Sequence, residues 1–111
     1  MKTSELTGAA LDWAVAQCEG FKREYWDDDR LCFTDDWGAD FEPSCDWLQG
    51  GAIIERERIS LWARGDEWAA ESFVPNHEGH EETGTTPLVA AMRCYVASKL
   101  GDEVEIPKEL K

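Results

Sequence analysis

The segment at residues 86–101 constrains the fold most, because it is an almost entirely apolar helix. It begins with Thr86-Pro87, an N-cap followed by the residue that best suits the first helical position, and it ends at Gly101. Between them stands LVAAMRCYVASKL, with Arg93 as the one charge near its centre. A helix that is apolar on nearly every side has to be covered by other elements. We therefore predict that this helix is the most buried element.

A second helix is predicted near the N-terminus, over residues 8–18. Thr7 precedes it as an N-cap, and Gly20 follows as a stop signal. Leu11 lies on its main apolar stripe, whereas Trp13 falls on roughly the opposite side at 100° per residue. We expect a neighbouring segment to bury Trp13; the alternative is that Trp13 is displayed for a partner.

Two hairpins and a short third helix are predicted between these helices. The aromatic-rich runs FKREYW and LCFT flank the polar tip DDDR, and ISLWA and EWAAES flank RGD. Gly50-Gly51 predicts a chain break before a short helix over residues 52–59. Residues 74–84 are predicted to be a polar loop containing His77 and His80.

This order of elements, α-β-β-α-β-β-α, predicts an α+β domain. We expect a small antiparallel sheet made of the two hairpins, with about three helices packed on it. A chain of 111 residues is the size of a single domain. The predicted domain spans residues 1–111, with a short flexible tail from about residue 107.

The net charge of −13 limits the partners of the chain. Such a surface repels nucleic acid and anionic membranes and attracts basic proteins. No run of residues approaches the ~18 apolar residues of a membrane span, and MKTSELTG lacks the apolar region of a signal peptide. The four cysteines form no CxxC pair. We therefore predict a cytoplasmic protein with four thiols, which binds neither nucleic acid directly nor a membrane.

No catalytic or metal-binding pattern stands out. Aligning Gly38 with the sixth position of a calcium loop places Phe33 first, where an oxygen ligand is needed. His77 and His80 supply two imidazoles, fewer than the three or four ligands of a zinc site. Cys45 has no base fixed beside it. The prediction is a protein that is not an enzyme and that has no cofactor and no metal.

The stretch at residues 24–47 holds nine carboxylates against one arginine, with three tryptophans among them. One interpretation is that these charges keep a tryptophan-rich domain soluble. The other is that they imitate nucleic acid, since strand side chains recur every ~6.8 Å and DNA carries a charge every ~3.4 Å on each strand. The residues predicted to contact a basic partner are Asp27, Asp28, Asp29, Asp35, Asp36, Asp40, Glu42, Trp26 and Trp37.

A function of a different class is the binding or sequestering of a small, nucleotide-like ligand. Its pocket would lie between the hairpins and the C-terminal helix, with aromatic walls and one group that pairs with an anion. The residues are Trp47, Trp62, Trp68 and Arg93. The structural alternative for Arg93 is an ion pair with Asp46 or Glu55. A third possibility is a homodimer that uses Trp13.

Three segments carry a family resemblance. KTSELTGAALDWAVAQCEG, SCDWLQGGAIIERE and TPLVAAMRCYVASKLGDEVEIP resemble the NinX-like family of phage proteins, which is related to phage domains described as an α–β–α sandwich. Ala52 departs from the family pattern, which has proline after the two glycines.

The resemblance implies a small phage or prophage accessory protein in the host cytoplasm, and it transfers no catalytic residues. In that setting the acidic stretch suggests binding to a host or phage protein with a basic surface. Such binding would inhibit a host DNA-handling or defence protein.

Overall fold

The elements follow the predicted order, with one additional strand. The structure is a computed structural model and describes residues 1–27, 30–72 and 81–110. The predicted α+β class, with three helices and two hairpins in that order, is confirmed. The helices are α1 (Gly8–Glu19), α2 (Trp47–Glu57) and α3 (Pro87–Leu100); the strands are β1 (Arg23–Asp27), β2 (Arg30–Thr34), β3 (Ser60–Arg64), β4 (Glu67–Glu71) and β5 (Glu81–Gly84).

Helix α3 lies at the centre of the core, as its composition predicts. The Thr86 side chain accepts a hydrogen bond from the Val89 amide at 3.1 Å, which caps the helix, and Pro87 takes its first position. The helix packs against α1, α2 and all three strands β3–β5. Eight of its residues are buried: Leu88, Ala90, Ala91, Met92, Cys94, Tyr95, Val96 and Ala97.

Helix α1 begins and ends where its signals predict. It starts at Gly8 after Thr7 and stops at Gly20, which has the left-handed φ of 79° that glycine tolerates best. Leu6 and Leu11 are completely buried, one just before the helix and one in its first turns. Trp13 is half-buried and packs against the core, in agreement with the burial expected for it.

The two hairpins form two separate sheets. Strands β1 and β2 form a two-stranded sheet, whereas β3, β4 and β5 form a three-stranded antiparallel sheet. Strand β5 lies in a segment predicted to be loop, since EETG shows no apolar alternation. Its last residue, Gly84, fits closely under α3: a Cβ there would lie 2.7 Å from the Ala90 nitrogen. Residues 73–80, with His77 and His80, lie outside the described part of the chain.

Helix α2 begins five residues earlier than predicted. The Asp46 side chain accepts a hydrogen bond from the Leu48 amide at 2.9 Å, and the helix runs from Trp47 straight through Gly50-Gly51. The predicted break at these glycines is therefore wrong. Gly50 serves close packing instead, because a Cβ on it would lie 2.4 Å from the Pro43 carbonyl oxygen.

Arg93 ties the N-terminal segment and β5 to α3. Its Nε donates to the Leu6 carbonyl at 2.7 Å, and its Nη1 donates to the Thr83 carbonyl at 2.8 Å. The predicted ion pair with Asp46 or Glu55 is not formed, because Asp46 caps α2 and the Glu55 side chain is exposed. Burial lowers the pKa of Arg93. The arginine therefore satisfies main-chain oxygens of two other segments.

The residues after α3 return to the N-terminal segment. Val104 donates its amide to the Met1 carbonyl at 2.9 Å, and both Val104 and Ile106 are buried. Residues Lys108–Leu110 form one turn of 3-10 helix, and Leu110 packs against the core. All four cysteines lie in the described part of the chain and are thiols rather than disulfides.

Candidate functional site

The residues after β2 form a tight turn that displays a tryptophan. We call residues 35–39 the Trp37 turn. The Asp35 carboxylate accepts hydrogen bonds from the amides of Trp37 at 2.9 Å and Ala39 at 3.0 Å. The Asp35 amide donates to the Ala39 carbonyl at 2.9 Å, and Gly38 takes a φ of 87°. The main chain of this turn is therefore fixed by its own hydrogen bonds.

The exposure of Trp37 is the most unusual feature of the surface. Its side chain is 86% exposed, although the turn that carries it is well hydrogen-bonded. Trp26 on β1 is 57% exposed. Aromatic side chains are enriched in the buried cores of protein interfaces.

Strand β1 places its two aromatic residues on opposite faces of the hairpin. Trp26 lies opposite Leu31, and Tyr25 lies opposite Cys32, so the two aromatic side chains project from opposite faces of the hairpin. The Tyr25 hydroxyl donates to the Asp40 carboxylate, and this hydrogen bond is the main cause of its raised pKa. Tyr25 thereby joins the hairpin to the end of the Trp37 turn.

The structure brings part of the predicted acidic surface together. Thr34 forms an isolated bridge with Asp40, so Asp36, Trp37 and Asp40 lie close along the chain at the end of β2. Asp35 stabilises the turn and is not a free contact residue. Trp26 lies on the hairpin face opposite to Tyr25. Of the remaining predicted contacts, Glu42 lines a cleft that Asp40 also lines, the side chain of Asp27 is not described, and Asp28 and Asp29 lie outside the described residues.

A cleft of about 260 Å³ opens between α1, β2 and the segment that leads into α2. We call it the Asp12 cleft. Leu31, Phe33 and Phe41 contribute apolar walls, and residues 8 and 9 contribute the first turn of α1. The segment at residues 40–45 closes the other side. The cleft is thus largely apolar, with carboxylates around it.

Asp12 is the acidic residue of this cleft that the sequence analysis missed. It is only 5% exposed, and one of its carboxylate oxygens accepts from the Ser44 amide at 2.8 Å. Burial raises its pKa to about 6; hydrogen bonds from Ser44 act in the opposite direction, and the charge of Glu42 raises it further. The available signal was a single acid within the apolar stretch GAALDWAVA.

The alternative, tryptophan-lined pocket is not assembled. Trp62 lies opposite Ala69 and Trp68 opposite Ala63, so the two side chains project from opposite faces of the β3–β5 sheet. Trp68 packs against the core, and Arg93 binds main-chain carbonyls. Trp47 lines a different cleft, of about 220 Å³, beside Pro87 and Leu88.

The start of α2 adds a second exposed apolar pair. Trp47 is 57% exposed and Leu48 is 84% exposed, directly after the capping residue Asp46. Both side chains are exposed because the Asp46 cap starts the helix at Trp47, and no element of the described structure covers this first turn. Trp47 lines the second cleft together with Ser44 and Cys45.

The surroundings of Cys45 disfavour its thiolate form. Partial burial raises its pKa, and the charges of Asp12, Glu42 and Asp46 raise it further. A reactive cysteine needs a lowered pKa, and the surroundings of Cys45 act in the opposite direction. Within residues 1–27, 30–72 and 81–110, no group of three or more histidine, cysteine, aspartate or glutamate side chains is placed to hold a metal ion.

None of the helices described here is long and apolar enough to cross a membrane. Comparison with curated proteins finds no significant match. The family model described as "Bacteriophage P22, NinX" matches residues 2–99, which covers most of the chain and includes both the Trp37 turn and the Asp12 cleft. The chain therefore belongs to the NinX family of phage proteins.

Proposed function

We propose that this phage accessory protein binds a partner protein with a basic surface, and that the Trp37 turn is the centre of the contact. The observation that carries the proposal is the 86% exposure of Trp37. The turn that carries it is closed by four hydrogen bonds, each of which has an Asp35 group as donor or acceptor. Trp is the residue type most often found at the energetic centre of protein interfaces.

Preformed geometry supports a binding role for this turn. A partner that meets Trp37 does not have to order the main chain around it, because Asp35 already holds the turn. The entropic cost of association is lower for such a segment than for a flexible loop. Rigid aromatic side chains also lose little conformational freedom on binding.

Charge supports a basic partner. The chain carries a net charge of −13, and Asp36 and Asp40 are exposed beside Trp37. Such a field speeds association with a positively charged surface and weakens as salt rises. The class of partner that we favour is a host protein that handles nucleic acid, because its basic groove would accept closely spaced carboxylates in place of phosphates.

The proposed role is binding rather than catalysis. The exposed thiol, Cys45, has a raised pKa, and Asp12 lies beneath the surface beside Ser44. Neither arrangement supplies an activated nucleophile with a base in reach. The protein is expected to inhibit or divert its partner by occupying the partner's basic surface.

The test is a pull-down from nuclease-treated host lysate at low and near-physiological salt. We expect Trp37→Ala and Asp36→Lys to remove most of the captured basic proteins, since they delete the aromatic anchor and reverse a neighbouring charge. Matched controls are Trp62→Ala, on the other sheet, and Asp66→Lys, in the β3–β4 turn. Both controls are expected to retain the partner.

Capture that is identical in wild type, Trp37→Ala and Asp36→Lys would contradict the proposal, because the retained proteins would then bind elsewhere. Equal losses in the control variants would contradict it too, since the effect would then follow total charge. Thermal unfolding of each variant checks that the fold is unchanged.

A further inference from the structure

We infer that the Asp12 cleft binds an arginine side chain. The inference rests on the proposed function for the source of that side chain, which is the basic partner. Asp40 connects the two sites, because it follows the Trp37 turn and also lines the cleft. A partner arginine beside the residue that contacts Trp37 would therefore be within reach of the cleft.

The charge of the cleft selects a cation. Asp12, Asp40 and Glu42 line it, and none of its lining residues is basic. Asp12 is only 5% exposed, yet no lysine or arginine among the described side chains forms an ion pair with it. A buried carboxylate is normally paired with a cation or held by several donors. Here the amide and the side chain of Ser44 act as its hydrogen-bond donors, and none of the described basic side chains supplies a counter-charge.

Repulsion within the cleft points the same way. The charge of Glu42 acts unfavourably on ionised Asp12. A bound cation would relieve this interaction. The N-terminus of α1 opposes it with about half a positive charge, which is less than the charge of the three carboxylates.

Size and walls fit one side chain. The volume of about 260 Å³ lies below the range of roughly 300–1,000 Å³ for sites that bind drug-sized ligands. Leu31, Phe33 and Phe41 suit the methylene stem of a long basic residue, which packs on apolar surface while its head stays polar. The phosphate groups of a nucleotide would be repelled by the carboxylates.

Arginine fits better than lysine because its donors spread over a planar fork. The carboxylates come from two separate parts of the chain, Asp12 on α1 and Asp40 and Glu42 after β2. Five N–H donors can serve several acceptors at once, and a guanidinium is less strongly hydrated than an ammonium. Losing water on entering an apolar cleft therefore costs less for arginine.

The probe is N-acetyl-arginine amide, titrated into the ¹⁵N-labelled full chain at low ionic strength. We expect saturable shifts of the amide signals of Ala9, Asp12, Ser44 and Cys45, with the Ser44 amide as the most direct reporter because it donates to Asp12. The uncharged isostere N-acetyl-citrulline amide should bind at least about tenfold more weakly.

Variants assign the binding to the carboxylates. Asp12→Asn keeps an oxygen for the Ser44 amide, removes the charge, and should weaken binding about fivefold or more. Glu42→Gln gives an independent test at an exposed side chain should Asp12→Asn alter the fold. Asp66→Asn is the control for loss of one charge outside the cleft, and it should bind like the wild type.

Three outcomes would overturn the inference. They are the absence of saturable shifts around the cleft, equal binding of the citrulline compound, and equal weakening by Asp66→Asn. Tighter binding of N-acetyl-lysine amide would overturn the choice of arginine. Because no partner protein is present in the titration, its failure is separate from failure of the pull-down, which tests the Trp37 turn.

Discussion

The core buries its large apolar side chains, whereas the acidic segment at residues 23–48 exposes several of its own. In the core, Trp68 packs against the cluster around α3, and Leu11 and Met92 are completely buried. In the segment at residues 23–48, Trp37 and Leu48 are more than four-fifths exposed. Burial of one such side chain is worth roughly 1.5–3 kcal/mol, so the acidic segment leaves sizeable stabilisation unused. Aromatic residues displayed in this way are enriched in the cores of protein interfaces.

The two regions meet at Gly50, and a methyl group there should have the largest effect. Gly50→Ala places a Cβ 2.4 Å from the Pro43 carbonyl oxygen and 2.6 Å from the Leu88 side chain. We expect a loss of about 3 kcal/mol of unfolding free energy, because overpacking at main-chain atoms cannot be relieved by a rotamer change. Urea unfolding measures it.

The neighbouring glycine is the matched control. A Cβ on Gly51 would lie 3.7 Å from the Trp47 ring, which is ordinary contact, and alanine favours the helix. Gly51→Ala should be neutral or stabilise by up to about 1 kcal/mol. Equal destabilisation by both substitutions would show that helix geometry, and not the approach to Pro43, is what Gly50 serves.

The second link between the regions is Asp12, and its effect depends on pH. Burial is the main cause of its folded-state pKa of about 6, against an ordinary value of 3.8. The folded state therefore holds this proton more tightly than the unfolded chain, so stability is lost as pH rises through that window. At neutral pH the cost is on the order of 2–3 kcal/mol.

Asp12→Asn should remove that dependence. The stability difference between this variant and the wild type should be near zero at about pH 4 and should grow in favour of the variant up to about pH 7. Urea unfolding across this range measures it, with Asp66→Asn as the exposed reference. A constant difference at all pH values would show that Asp12 does not change its protonation in this window.

The smallest effect on stability is expected within the acidic segment itself. Trp37→Ala removes a side chain that is 86% exposed and whose main chain is held by Asp35, so the unfolding free energy should change by less than about 0.5 kcal/mol. The urea titration that detects Gly50→Ala serves as the positive control. A loss above about 1 kcal/mol would mean that Trp37 packs in solution, and the comparison between the two regions would fail.

Most elements could be predicted because their signals are local. The Thr86-Pro87 start and Gly101 stop of α3, and the Gly20 stop of α1, depend on a few neighbouring residues. Strand β5 could not be predicted, because EETG is strand-like only when β4 lies beside it and α3 covers Gly84. The start of α2 was misplaced because two adjacent glycines predict a break, whereas Asp46 caps a helix that runs through them.

The candidate site was predictable only in part, for a related reason. The sequence indicated an acidic, aromatic-rich stretch, and Asp36, Trp37 and Asp40 lie within it. It did not show that the Asp35 carboxylate is occupied by the amides of the turn. Asp12 was missed because it lies 28 residues or more from Asp40 and Glu42, the acids with which it shares the cleft.

The sequence by itself determined the α+β class, the buried C-terminal helix, the charge of −13 and the family resemblance. Each of these depends on composition or on signals within a few residues of one another. Only the tertiary structure decided which aromatic side chains remain exposed, where Arg93 donates its hydrogen bonds, and that Asp12 lies beneath Ser44. Burial and pairing are properties of segments far apart in the chain, and they exist only after those segments have packed.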